Sequence, residues 1–189
     1  MKNYSTEQSG RSMIEMLGVL AIVGVLSVAG IAGYSKAMAK FKTNKLVDQI
    51  TSLSSSVRTM FSGAGTYAGL NTTSAYNLGL IPEDATKTCG STFSTGCVIH
   101  ALNGSLDVQA ATTTNTNDTF KITISNLTRD ACASLAASDW GGPTSVALVG
   151  AGGAGSVTKT VSAGANPIET AAACSCGAGT GCVVAITYY

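Results

Sequence analysis

The pattern of apolar and polar positions changes character along the N-terminal part of the chain. Residues 13–34, MIEMLGVLAIVGVLSVAGIAGY, are apolar apart from a single charge, Glu15. At a rise of about 1.5 Å per residue they predict a helix of about 33 Å, long enough to cross a hydrocarbon core of roughly 30 Å. Beyond Tyr34 the helical period continues on one face only. Leu46, Ile50, Leu53, Val57 and Met60 form an apolar stripe, while Lys45, Asp48, Gln49, Ser52, Ser55 and Arg58 make the other face polar. Gly63, with Gly65 behind it, supplies a stop signal. One helix is therefore expected to run from a membrane half, residues 11–35, into an amphipathic half, residues 36–63, that offers a spine to a sheet.

The remainder, residues 64–189, reads as a head domain. Residues 66–82 predict a loop with a short helical or irregular piece. Strand signals then occur at 97–102, 106–110, 120–124, 146–149, 157–161 and 183–187, with turn residues such as Asn103 and Gly104 between them. Residues 128–137 predict a short helix capped by Thr128, with Ala131 rather than Glu at the third position. The expected class is α+β, a long N-terminal helix packed on an antiparallel sheet.

Glu15 makes the apolar run informative, because a carboxylate inside a lipid-spanning helix is costly and is kept with a partner. Four residues before it stands Arg11, preceded by Gly10 and a short polar leader, residues 1–10. A secretory signal peptide carries its small-residue cleavage site after the hydrophobic stretch; here the small residue comes first, so the apolar helix survives processing. Gly10, Arg11, Ser12, Met13, Ile14 and Glu15, followed by the apolar run, resemble the precursor signal of the type IV pilins. The segment 77–82, NLGLIP, resembles that of the type IVb class. The resemblance implies the pilin fold and cleavage of the Gly10–Arg11 bond by a membrane aspartyl prepilin peptidase. It also implies N-methylation of the new amino group, although the family's first mature residue is usually apolar and here it is Arg11.

Composition and charge narrow the picture. Only 11% of the 189 residues are charged, against about 25% in a typical domain, and the net charge is +1. No basic run is dense enough for nucleic acid, and Lys36, Lys40, Lys42 and Lys45 read as a solvated face just outside the bilayer. By the positive-inside rule these lysines belong in the cytoplasm. The six cysteines, all in the C-terminal part, argue for an oxidising compartment and place the head in the periplasm. Six cysteines can pair in many ways, and spacing alone does not choose among them. Cys174 and Cys176 are too close to pair comfortably, Cys89 with Cys97 closes a local loop, and Cys176 with Cys182 staples a tight turn. The remaining pair, Cys132 with Cys174, resembles the long loop-closing bridge of pilins.

Several signals point elsewhere and fail on context. Gly150, Gly152 and Gly155 fit GxGxxG, but β-like residues follow and too little chain remains for a nucleotide domain, so a surface loop is expected. Cys174, Cys176 and Cys182 lack the paired spacing of structural zinc. His100, the sole histidine, stands in an apolar stretch and reads as a buried or edge residue, with no catalytic constellation around it. Residues 112–119, TTTNTNDT, read as a solvated loop, and the Asn-x-Thr sites at Asn71, Asn117 and Asn126 carry little weight. Gly18, Gly24, Gly30 and Gly33, with Ala29, suit either close helix contact or local stretching within a filament.

The expected function is that of a major pilin, a homopolymer built through the N-terminal helix for adhesion or conjugative contact. It is inserted first in the inner membrane, handled by the pilus assembly machinery and then exported as a filament. No enzyme activity, cofactor or metal is expected. Within the same class, a minor pilin or secretion pseudopilin is the alternative, although a calcium site would need carboxylates and only Glu169 follows Asp139. Outside it, the alternative is a membrane-anchored binding or redox module that never polymerises.

Overall fold

Helix α1, Ser9–Phe61, has 53 residues and no proline to break it. The structure, a computed structural model, describes residues 9–89, 93–94, 96–140, 143–149, 158–161, 174, 176 and 181–189. Residues up to Phe41 form one unit, and a second compact unit begins at Lys42, so the last five turns of α1 belong with the head. Arg58 stands in the final turn, where a cation complements the helix dipole. The helix closes with the Ala64 amide donating to the Phe61 carbonyl (3.0 Å), and Gly65 follows at φ 67°.

The apolar stripe of α1 enters the core as its spacing dictates: Leu46, Ile50, Leu53 and Val57 are all buried. Met60 is not, being 52% exposed. The inward position one turn after Val57 is taken by Phe61, whose ring lies 5.6 Å from that of Tyr67. Gln49, expected on the watery face, is only 4% exposed, and Ser54 is buried as well. The buried face is therefore wider than the apolar stripe, because Gln49 Oε1 accepts the Ala101 amide (3.1 Å) and so is satisfied inside.

Helix α2, Thr72–Asn77, starts on a capping box in which the Asn71 side chain accepts from the Ser74 amide and the Ser74 hydroxyl accepts from Asn71. The NLGLIP segment turns at Gly79 (φ 66°) and buries Leu80 and Ile81. It then runs through Pro82 into α3, Glu83–Thr86, a turn of helix the sequence pattern did not announce.

Among the described residues the sheet has five strands, β1 Leu106–Ala111, β2 Thr119–Leu127, β3 Pro143–Val149, β4 Thr158–Val161 and β5 Cys182–Tyr188, in the order β1-β2-β5-β3-β4. Every pairing is antiparallel. Between β2 and β3 lies α4, Arg129–Ala137, whose Ala131 amide donates to the Thr128 cap. The C-terminal strand inserts at the centre, with Ile122 opposite Ile186 on one side and Val146 opposite Ile186 on the other. The register shifts between Ile124 and Leu127, where Asn126 takes φ 56°. Leu106, Val108, Phe120, Ile122, Ile124, Val184, Ile186 and Tyr188 join the α1 stripe in one buried cluster.

Two more expectations are corrected. Residues 97–102 form no strand; they enter a tight turn whose only ladder contact among the described residues is the Ile99–Ser105 bridge. The Ile99 amide donates instead to the Ala85 carbonyl (2.9 Å), so α3 takes the bond a strand would need. Thr119 does not belong to the solvated loop: it is buried as the first residue of β2. The GxGxxG segment and Val157 lie outside the described residues.

Candidate functional site

Along α1 every side chain from Met13 to Ala37 is exposed, Glu15 among them. The exposed set includes Met13, Ile14, Leu17, Leu20, Val25 and Ile31 and extends around the helix. Burying one such side chain is worth about 1.5–3 kcal/mol, so this surface favours a lipid or protein environment over water. Length and composition suffice to cross a membrane. At Gly18, Gly24, Gly30 and Gly33 an added Cβ meets nothing, so the fold within the chain does not require glycine there. Gly10 and Arg11, the residues of the expected cleavage bond, lie in the first turn of α1.

In the head the structure brings the cysteines together as three pairs, Cys89 with Cys97, Cys132 with Cys174 and Cys176 with Cys182, at Cα separations of 4.7, 5.9 and 5.3 Å. The second ties α4 to the segment leading to β5, and a bridge of this kind contributes about 2–5 kcal/mol. Beside the first, the Thr88 hydroxyl, just before the closed loop, donates to the Cys97 carbonyl. Among the described residues no group of His, Cys, Asp and Glu is arranged to hold a metal ion.

Lys36, Lys40 and Lys42 are exposed, but Lys45 does more than solvate a surface. Its Nζ lies 2.9 Å from Asp84 Oδ2, joining α1 to α3. Burial alone raises the Asp84 pKa; hydrogen bonds from Lys45 and Gln49 outweigh it and hold the carboxyl below its usual value. The pair stands on the wall of a cavity of about 280 Å³ lined also by Gln49, Lys87, Thr88 and His100. His100 is 2% exposed, and burial pushes its pKa down against the pull of the Ser125 carbonyl. At the opposite end of the α1 head segment, the Arg58 guanidinium sits 5.0 Å from the Tyr188 ring centroid. Burial pushes the Tyr188 hydroxyl up to about 12, against Ser54 and Arg58.

The loop before β2 is organised by a residue that the sequence reading did not single out. The Asp118 carboxylate accepts the amides of Thr113, Thr114 and Asn115 (2.8, 2.8 and 2.9 Å) and the Thr113 hydroxyl (2.9 Å). These bonds hold its pKa well below the usual carboxylate range. An Asp four residues after the run Thr112–Thr114 was the available signal for such a turn.

A family model described as PilS N terminal matches residues 40–188. The major structural subunit of the bundle-forming pilus of Escherichia coli O127:H6 (strain E2348/69 / EPEC) is 26% identical over 129 residues, 68% of this chain and 64% of that protein. The same subunit from Escherichia coli O111:H- matches with the same values. The chain thus spans 64% of the length of the curated relatives it matches. Among solved structures, the type IV b pilin from Salmonella typhi superposes with a TM-score of 0.54 at 18% identity, covering 75% of this chain and 96% of that one. TcpA, a type IV pilin from Vibrio cholerae El Tor biotype, does so with 0.52 at 15% identity, covering 78% and 99%. At these identities the likeness is one of fold.

Proposed function

Because the chain belongs to the PilS N-terminal family and has the type IV pilin fold, we propose that it is the major structural subunit of a type IVb pilus. The observation that carries this reading is the exposed apolar segment of α1 with its single carboxylate, Glu15, in a chain whose head has that fold. Bundling such helices removes their apolar surface from water, which supplies the drive for polymerisation. The same bundling strips water from Glu15. Left unpaired in an apolar core, a charge of this kind costs about 3–5 kcal/mol. Cleavage of the Gly10–Arg11 bond by a prepilin peptidase creates an amino group at Arg11, the position at which the family is methylated. Pairing of that group with Glu15 of a neighbouring copy offsets the cost only in register, so the carboxylate acts as an alignment pin.

In this reading residues 1–10 are the leader, residues 11–35 anchor the precursor in the inner membrane, and the head faces the periplasm. There the three cysteine pairs oxidise before the assembly machinery draws the subunit into an extracellular homopolymer. The role is structural, with no catalytic step. Glu15→Ala tests it: the precursor is still cleaved, giving the mature band on a gel, while surface filaments are lost. Normal piliation in that strain contradicts the pairing argument.

A further inference from the structure

His100 is the one histidine of the chain, it is buried, and the pilus reading gives it no task. Its hydrogen bonds fix its tautomer. Nε2 stands 2.8 Å from the Ser125 carbonyl oxygen, which only accepts, so Nε2 carries the proton. Nδ1 receives the Leu102 amide at 3.1 Å, so Nδ1 is bare. The neutral ring is fully satisfied, and it closes a turn in which the His100 amide donates to the Gly104 carbonyl and the Asn103 amide to the His100 carbonyl, both at 2.9 Å. An added Cβ at Gly104 would press on the ring and stand 2.9 Å from the Ser125 carbonyl carbon, so ring, turn and β2 are tightly fitted. The turn is tied outward to α1 by the Ala101 amide on Gln49 Oε1 and, just before it, to α3 by the Ile99 amide on the Ala85 carbonyl.

We propose that His100 is an acid-sensitive latch: a second proton, on Nδ1, sets donor against donor at the Leu102 amide, opens the 100–104 turn and frees Gln49 of α1 from it. The surrounding charges favour opening over accommodation. The cavity beside the ring is lined by two cationic residues, Lys45 of α1 and Lys87 at the end of α3. The Asp84 carboxylate on the same wall is already engaged by Lys45. Toward the sheet, Asp107 reaches the site only through Ser105, whose hydroxyl bonds both Asp107 (3.1 Å) and the Ser125 hydroxyl (2.7 Å). Burial holds the folded pKa below that of the exposed ring. The neutral latch is therefore fully closed above about pH 6.5 and weakens as pH falls toward the folded value. Acid loosens the α1 and α3 contacts of this turn while the sheet's own ladder remains.

The test uses the full chain in detergent micelles, from about pH 7.5 to about pH 4.5. With a single histidine, imidazole 15N shifts report the tautomer without any substitution: the Nε2–H form is expected at the upper pH. Amide exchange, corrected for its intrinsic pH dependence, should show protection at Ala101 and Leu102 falling about tenfold per unit of pH below the onset. Protection at Ile122 and Ile186 should hold. His100→Gln should abolish that pH dependence. The Nδ1–H tautomer overturns the proposal. So does protection at Ala101 and Leu102 that stays constant down to about pH 4.5, whether or not the ring becomes charged.

Discussion

Lys45 and Asp84 meet at 2.9 Å and join the first head turn of α1 to the short helix α3. The two side chains are 44% and 28% exposed, so the pair is a clasp screened by solvent. Asp84→Asn should lower stability by about 0.2–1 kcal/mol, and the loss should shrink in high salt. The Asp84 pKa is lower in the folded chain than unfolded. Its contribution is therefore present above about pH 4 and is lost as pH falls through the folded value. Thermal melts of wild type and variant at two salt concentrations check both points.

The α1 stripe separates two residues that the sequence placed together. Leu53 is buried against the sheet cluster and Met60 faces out. Leu53→Ala should destabilise the head by about 2–5 kcal/mol, whereas Met60→Ala should stay within about 0.5 kcal/mol. Urea denaturation followed by the fluorescence of Trp140, which is buried with its indole on the Leu135 carbonyl (3.0 Å), reads the difference.

Asp118 orders the loop before β2 through three amides and a hydroxyl. Its folded pKa is depressed, so the order it confers persists above the pKa of the unfolded carboxyl, about 3.9, and disappears only well below that. Asp118→Ala should raise amide exchange at Thr113, Thr114 and Asn115 at neutral pH and leave the exchange of the central strand β5 unchanged.

Gly104 sits where a side chain would meet the Ser125 carbonyl and the His100 ring. Gly104→Ala should cost about 1–3 kcal/mol, measured as a lowered midpoint of denaturation with an unchanged slope.

The helix and the strands were legible because their patterns are long or alternate plainly. Leu46, Ile50, Leu53 and Val57 name the buried face, and Phe120, Ile122 and Ile124 name a strand half in the core. Gly10 and Glu15 carried the resemblance to the type IV pilins from which the proposed processing follows. What stayed hidden depends on partners distant in the chain. Gln49 reads as a surface residue until Ala101 arrives, 52 residues later, to donate to it. Residues 97–102 have strand composition, yet their amides are claimed by α3 and by the turn at Gly104. Lys45 looks like one lysine in a solvated run until α3, too short to show a period, presents Asp84. Strand order was equally beyond local pattern, since β5 is last in the chain and central in the sheet.

The proposed function requires that this chain polymerise into a surface filament through a helix freed of its leader. N-terminal sequencing of sheared, purified surface filaments tests it most directly. This chain should be the abundant component and begin at Arg11; filaments lacking it, or a mature protein beginning at another residue, would overturn the proposal.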